Sequence, residues 1–237
     1  MLENIDTSNI LFLDIETVPM TSDYNDLPDN FQKLWDRKAK SLTDKEDCTP
    51  DRLFERAGIY AEFGKIICIS CGFINGNTLK IKSFYSDEEK LLLKEFTEML
   101  DKHYSSNRSI LCGHNAKEFD YPYISRRILI NGLQLPSILD ISGKKPWEVG
   151  HLDTMQLWKF GDYKSYTSLA LLTALFNIPT PKDDIEGSDV ARVYWKDHNL
   201  QRIVKYCQKD VLAVVQLFLK FQGRPLMKDE NIIIINN

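Results

Sequence analysis

Two carboxylates close an apolar run near the start of the chain, Ile10-Leu11-Phe12-Leu13-Asp14-Ile15-Glu16-Thr17. A third closes His114-Asn115-Ala116-Lys117-Glu118-Phe119-Asp120, and a fourth closes Tyr206-Cys207-Gln208-Lys209-Asp210. Carboxylate oxygens delivered by separate elements are the donors that hard divalent cations take. A pair of such cations activates a water and stabilises the leaving oxygen of a phosphodiester. Asp14 and Glu16 are two apart, so on a strand they share a face, where they repel unless a cation lies between them or one is protonated. Tyr206 and Asp210 are four apart, so on a helix they also share a face. Their neighbours Ile203, Cys207 and Val214 are apolar, and an aspartate near the core is costly without a partner. Each segment alone has a plainer reading. The first is a strand leaving the core, the second a helix-start aspartate before Tyr121-Pro122, the third a Tyr–Asp pair at the rim of the core.

The elements that must position these groups can be read from periodicity. Residues 10–13 lack alternation, as in a central strand covered on both faces. Residues 20–62 are charged, with interspersed aromatics, and read as an insertion with helices over Asp29–Lys40 and Pro50–Phe63. Strands are expected at Lys65–Phe73 and Thr78–Tyr85 around the turn Asn75-Gly76-Asn77. Ser86 and Glu89 are spaced as a capping box for a helix to His103 that buries Leu91, Leu92, Phe96 and Leu100. Ser109–Gly113 is a short buried strand leading into His114-Asn115. Pro122 favours the first turn of a helix reaching Gly132. His151–Leu157 reads as a short strand passing into a helix, and helices follow at Ser168–Phe176 and Gly187–Trp195. Leu200–Phe221 is a long helix with Ile203, Val204, Cys207, Val211, Val214, Val215 and Phe218 as its apolar stripe. The tail, residues 223–237, contains Ile232–Ile235, an edge strand or an intermolecular contact. The pattern indicates one α/β domain over residues 1–237 with a mixed β-sheet flanked by helices.

The chain has 237 residues, 43% hydrophobic and 27% charged, which is ordinary globular composition. The net charge of −4 argues against coating duplex DNA through a broad basic surface, but not against gripping a few nucleotides. No apolar run approaches the ~18 residues of a membrane span. The start, Met1 to Asp6, lacks a secretory h-region. The five cysteines, Cys48, Cys68, Cys71, Cys112 and Cys207, are an odd count that fits a reducing compartment, so a cytoplasmic location without membrane attachment is expected. Cys68-Ile69-Ser70-Cys71 lies in a strand pattern, so its thiols point to opposite faces.

The three acidic segments, in this order, resemble the DEDD superfamily of 3′–5′ exonucleases. One subfamily carries histidine five before the last aspartate, where this chain has Lys205. The other carries tyrosine four before it, where this chain has Tyr206. The chain is therefore similar to DEDDy enzymes, and most to the exonuclease domain of family-B DNA polymerases in a predicted stand-alone bacterial version, over about residues 9–222. The resemblance implies a ribonuclease H-like fold and two-metal hydrolysis with Mg²⁺ or Mn²⁺, acting on single-stranded DNA 3′ ends and releasing 5′-mononucleotides. It implies catalytic roles for Asp14, Glu16, Asp120, Tyr206 and Asp210, with the four acidic groups as metal ligands. Tyr206 is expected to position the attacking water. Asn115, Phe119 and Thr17 are the expected substrate contacts, with packing the favoured role for Phe119. Trp35 with Lys33, Arg37, Lys38 and Lys40 reads equally as a stacking-and-charge grip on a single strand or as a solvated helix face. His114 reads as structural, because hard cations prefer oxygen. His151 and Asp153 read as a strand-end contact in preference to a second metal pair. An RNA-trimming enzyme and a catalytically idle nucleic-acid-binding module are the alternatives. About fifteen residues follow the last helix, so any polymerase or repair partner is expected in trans.

Overall fold

The unbroken apolar run Ile10–Leu13 becomes the middle of a sheet. The computed structural model describes residues 2, 5–42, 49–162, 164–179 and 185–235. Cys48 lies outside the described residues. Strand β1 (Ile10–Pro19) pairs antiparallel with β2 (Gly64–Asn75) and parallel with β4 (Ile110–Gly113). β2 continues antiparallel to β3 (Thr78–Tyr85), and β5 (Leu152–Asp153) runs parallel to β4. β6 (Ile232–Ile235) takes the edge-strand role, parallel to β3, and completes the order β5-β4-β1-β2-β3-β6.

Alternation along β1 sends its side chains to two different cores. Ile10 and Phe12 face α8 (Leu200–Phe221), whose expected apolar stripe is buried throughout. The rings of Phe12 and Phe218 meet edge to face at 5.5 Å. Leu11, Leu13 and Ile15 face α3 (Glu89–His103) and α4 (Asp120–Ile130) on the other side. Asp14 and Glu16 continue the even series and so belong to the α8 face. Gly72 on β2 allows α8 to come close, since a Cβ there would lie 2.9 Å from Val211 Cγ1. Cys68 packs with Val204 and Cys207 while Cys71 lies in the opposite core, as strand alternation requires.

Three expectations are corrected by tertiary packing. Leu91 is exposed and Leu93 takes the core position on α3. Ser86 and Glu89 form no capping box. Ser86 Oγ accepts from the Glu88 N–H at 3.0 Å, and the Glu89 carboxylate turns inward to Arg127 Nε at 2.8 Å and the Ile66 N–H at 2.7 Å. Arg127 is itself buried and needs a carboxylate partner, a stronger demand than an exposed cap. In the insertion, α1 (Asp29–Leu42) forms as expected, but the second helix, α2 (Pro50–Phe54), stops early and a 3₁₀ turn follows at Ala57–Ile59. Gly58 in that turn rests on β1, where a Cβ would lie 2.9 Å from the Val18 carbonyl carbon.

The insertion has its own small core, and Trp35 is its centre. Trp35 is fully buried, its Nε1–H donates to the Pro50 carbonyl at 2.7 Å, and its ring meets Phe54 and Phe63 at 5.5 and 5.0 Å. A ring so enclosed cannot stack on a base, so the nucleic-acid reading of the Trp35 cluster fails and the helix-face reading stands. Three further helices complete the fold: α5 (Thr154–Lys159), α6 (Leu169–Leu175) and α7 (Val190–Trp195). α6 packs through Leu172 against Leu217 of α8, and α7 through Val193 against Val18, Ile67 and Ile203. No helix among the described residues is long and apolar enough to cross a membrane.

Candidate active site

Three elements bring four carboxylates and a phenol to one end of β1. Asp14, half-buried, and Glu16, buried, face α8. The β1–β2 register slips after Glu16, which pairs with Cys68 while Thr17 pairs with Ile66. Such a bulge bends and twists the strand locally, here just beyond the acidic pair. Asp120 is the first residue of α4 and is buried. Its carboxylate accepts the backbone N–H of Ile15, so the second acidic segment is tied to the strand between Asp14 and Glu16. On α8, the Tyr206 hydroxyl hydrogen-bonds the Asp210 carboxylate, with Glu16 and Asp14 close enough to act on it electrostatically.

The electrostatics are those of crowded anions. Burial, then the charges of Asp210 and Asp120, hold Asp14 well above the usual carboxylate range. Burial and Asp14 do the same to Glu16. Asp120 is pushed up to about 7, mainly by burial and also by Asp153, against the opposing pull of backbone N–H groups. Burial and the Asp210 charge raise the Tyr206 phenol, so it stays protonated. Buried oxygen donors whose protons are held by desolvation and by one another's charge match the needs of a hard divalent cation, which supplies the missing charge. Ligand atoms of Asp14, Glu16 and Cys207 lie within 4.8 Å of one another. Cys207 Sγ donates to the Asp14 carbonyl and to Asp14 Oδ2, each at 3.4 Å. Burial raises this thiol, so it stands as a protonated prop behind Asp14. Sequence reasoning placed Cys207 only in the apolar stripe. Its position directly after Tyr206 was the available signal.

Of the three expected substrate contacts, Thr17 and Phe119 share a cleft with Glu16, and Asn115 does not line it. Thr17, Phe119, Glu16, Arg56, Ile59 and Ser188 are among those bounding a cleft of about 540 Å³. Phe119 also packs against Tyr123 at 5.4 Å, which agrees with its packing role. Asn115 adopts a left-handed conformation, φ 61°, that asparagine tolerates better than most residues. The reason is Asp153, which is almost fully buried. Asp153 Oδ1 accepts the N–H of Asn115 at 3.0 Å and of Met155 at 2.9 Å, and Oδ2 accepts that of Lys117 at 3.0 Å. One carboxylate thus caps α5 and shapes the turn that leads to Asp120. His151 donates Nε2–H to the Ile138 carbonyl at 2.8 Å and accepts the Leu111 N–H at 3.3 Å. Both residues are spent on strand-end contacts, as the sequence suggested. His114 is likewise structural, with Nδ1 2.9 Å from Thr154 Oγ1 and Nε2 3.0 Å from the Thr167 carbonyl.

Residues 59–230 match a family model described as a predicted 3′–5′ exonuclease related to the exonuclease domain of PolB. The chain belongs to this family. The matched span includes Asp120, Tyr206 and Asp210, while Asp14 and Glu16 precede it. Among solved structures, the family B DNA polymerase from the hyperthermophilic archaeon Pyrobaculum calidifontis is similar, with a TM-score of 0.51 and 16% identity. The match covers 90% of this chain and 24% of the polymerase, so the chain spans about a quarter of that protein's length. At this identity the likeness speaks to the fold. The mixed sheet with flanking helices is the ribonuclease H-like fold that the acidic segments implied.

Proposed function

We propose that this chain is a metal-dependent 3′–5′ exonuclease that removes 5′-mononucleotides from single-stranded DNA. The observation that carries the reading is the convergence of Asp14, Glu16, Asp120 and Asp210 from three elements, with Asp14, Glu16 and Asp120 held above the usual carboxylate range by burial and mutual charge. Asp14, Glu16 and Asp210 are the residues to hold one divalent cation, and Asp14 with Asp120 the second. When bound, Mg²⁺ or Mn²⁺ lowers the pKa of water and stabilises charge on the departing oxygen. Tyr206 keeps its proton and presents its hydroxyl beside Asp210, where it orients the attacking water by hydrogen bonding. The water would release a proton to solvent as its oxygen bonds to phosphorus, the bond from phosphorus to the 3′ oxygen would break, and that oxygen would take up a proton from solvent. Thr17 and Phe119 bound the cleft in which the terminal nucleotide sits.

The test is degradation of 5′-labelled single-stranded DNA, a recessed duplex and RNA with Mg²⁺ or Mn²⁺. Shortening from the 3′ end of the single-stranded DNA is expected, abolished by EDTA and by Asp14→Ala or Asp210→Ala in protein that still folds. Hydrolysis that persists in EDTA, or in the Asp14→Ala protein, rejects the mechanism. Faster loss of the RNA assigns the enzyme to RNA trimming.

A further inference from the structure

One exposed aromatic ring near the second acidic segment is held by a side-chain hydrogen bond. Tyr166 is 68% exposed, yet its hydroxyl accepts Asn115 Nδ2 at 2.5 Å. The next residue, Thr167, is buried, and its carbonyl accepts Nε2–H of His114 at 3.0 Å. Two consecutive residues, His114 and Asn115, therefore clamp two others, Tyr166 and Thr167, across the turn after β4. The His114–Asn115 half of the clamp is itself held in place. Asn115 is fixed in its left-handed conformation by Asp153, and the other ring nitrogen of His114 is held by Thr154. Lys159 Nζ stands 5.5 Å from the Tyr166 ring centroid. The charges of Glu118, Asp153 and Asp120 act on the phenol, which places it within reach of the second acidic segment.

An exposed ring of this size gains nothing in stability from being presented to water. A fixed aromatic face with an adjacent lysine is the means by which proteins hold single strands, the ring stacking on a base and the lysine meeting a phosphate. We propose that Tyr166 stacks on a base of the bound single strand close to its 3′ end, with Lys159 at the neighbouring phosphate. This rests on the exonuclease reading for the identity of the strand. It also gives His114 and Asn115 their work, which is to hold the stacking ring and not to bind metal.

Binding and cleavage separate the two readings. Affinity is measured by fluorescence anisotropy in Asp14→Ala protein, using 5′-labelled oligonucleotides that are intact or carry one abasic nucleotide at each of the last four positions. Loss of one base–aromatic stack weakens binding by about 5- to 150-fold. Tyr166→Ala should weaken binding of the intact strand to this extent, and Tyr166→Phe much less because it keeps the ring. At one position the abasic strand should bind the parent protein as weakly as the intact strand binds Tyr166→Ala, and combining both changes should add little. Unchanged affinity in Tyr166→Ala, or losses that add at every position, overturns the proposal. If that pattern holds while the unmutated protein cleaves none of the strands with Mg²⁺ or Mn²⁺, stacking stands and the exonuclease reading falls.

Discussion

Asp120 shows how opposing forces at a single residue are decided by magnitude. A helix N-terminus favours an anion by only ~0.3–1 kcal/mol, and the Ile15 N–H adds to that pull. Burial and the Asp153 charge outweigh both, and the carboxyl moves from 3.8 to about 7. Asp14 and Glu16 move the same way. A folded-state pKa above its unfolded value means that the native protein holds protons the unfolded chain has released. Stability of the metal-free protein should therefore be full below about pH 4 for these groups and decline as pH rises through about 7. Thermal melts between pH 5 and 8 in EDTA are expected to show this fall, flattened in Asp120→Asn. Added Mg²⁺ or Mn²⁺ should raise Tm more at pH 8 than at pH 5, because deprotonated oxygens bind it. A Tm that climbs over this range, or a gain equal at both pH values, would contradict the crowded-anion account.

At the scale of elements, α8 carries two of the five expected catalytic residues, so its seating on the sheet matters directly. Gly72→Ala sets a methyl group 2.9 Å from Val211 Cγ1, one residue after Asp210. Neither a strand backbone nor a fully buried valine yields easily, so a loss of ~1–3 kcal/mol is expected. Activity should fall in the same variant even in its folded fraction, since Tyr206 and Asp210 move with the helix. Wild-type turnover per folded molecule would show that α8 tolerates the shift. The long helix and β3 matched their sequence-derived bounds because each carries its own periodicity, 3.6 in Ile203 to Phe218 and 2 in Leu79 to Lys82. The acidic set was legible for a similar reason, since its spacings are local. What was not legible depends on distant partners. Glu89 looked like a cap until Arg127, well along the chain, claimed it. Trp35 looked like a surface ring until Pro50, Phe54 and Phe63 enclosed it. Cys207 and Tyr166 gain meaning only from Asp14 and Asn115, which no periodicity connects to them.

Across the whole molecule, one buried ion pair ties the insertion and both helices of one layer to the sheet. Glu89 on α3 receives Arg127 of α4 and the Ile66 N–H of β2, and Arg127 Nη1 donates to the Ala61 carbonyl at 2.8 Å. Removing one member leaves a buried charge without its counter-ion, a loss of ~3–5 kcal/mol. For a domain of this size, Glu89→Ala should lower Tm by about 6–20 °C. Turnover per folded molecule should fall as well, because Arg127 anchors α4, the helix that opens with Asp120. A melt within a degree or two of wild type would show that the pair contributes little. The placement of β1 has a separate consequence, for the protein while it is being made. β1 is synthesised before both of its neighbours, yet in the sheet it lies between β2 and β4. Its acidic pair waits through the insertion, β2, β3 and α3 for Asp120, and then for Asp210 on α8. On the proposed reading, a ribosome-bound chain that has not yet released α8 lacks Asp210 from its ligand set, and newly made molecules would gain the power to cut nucleic acid only when synthesis of the sheet's last covering helix is complete.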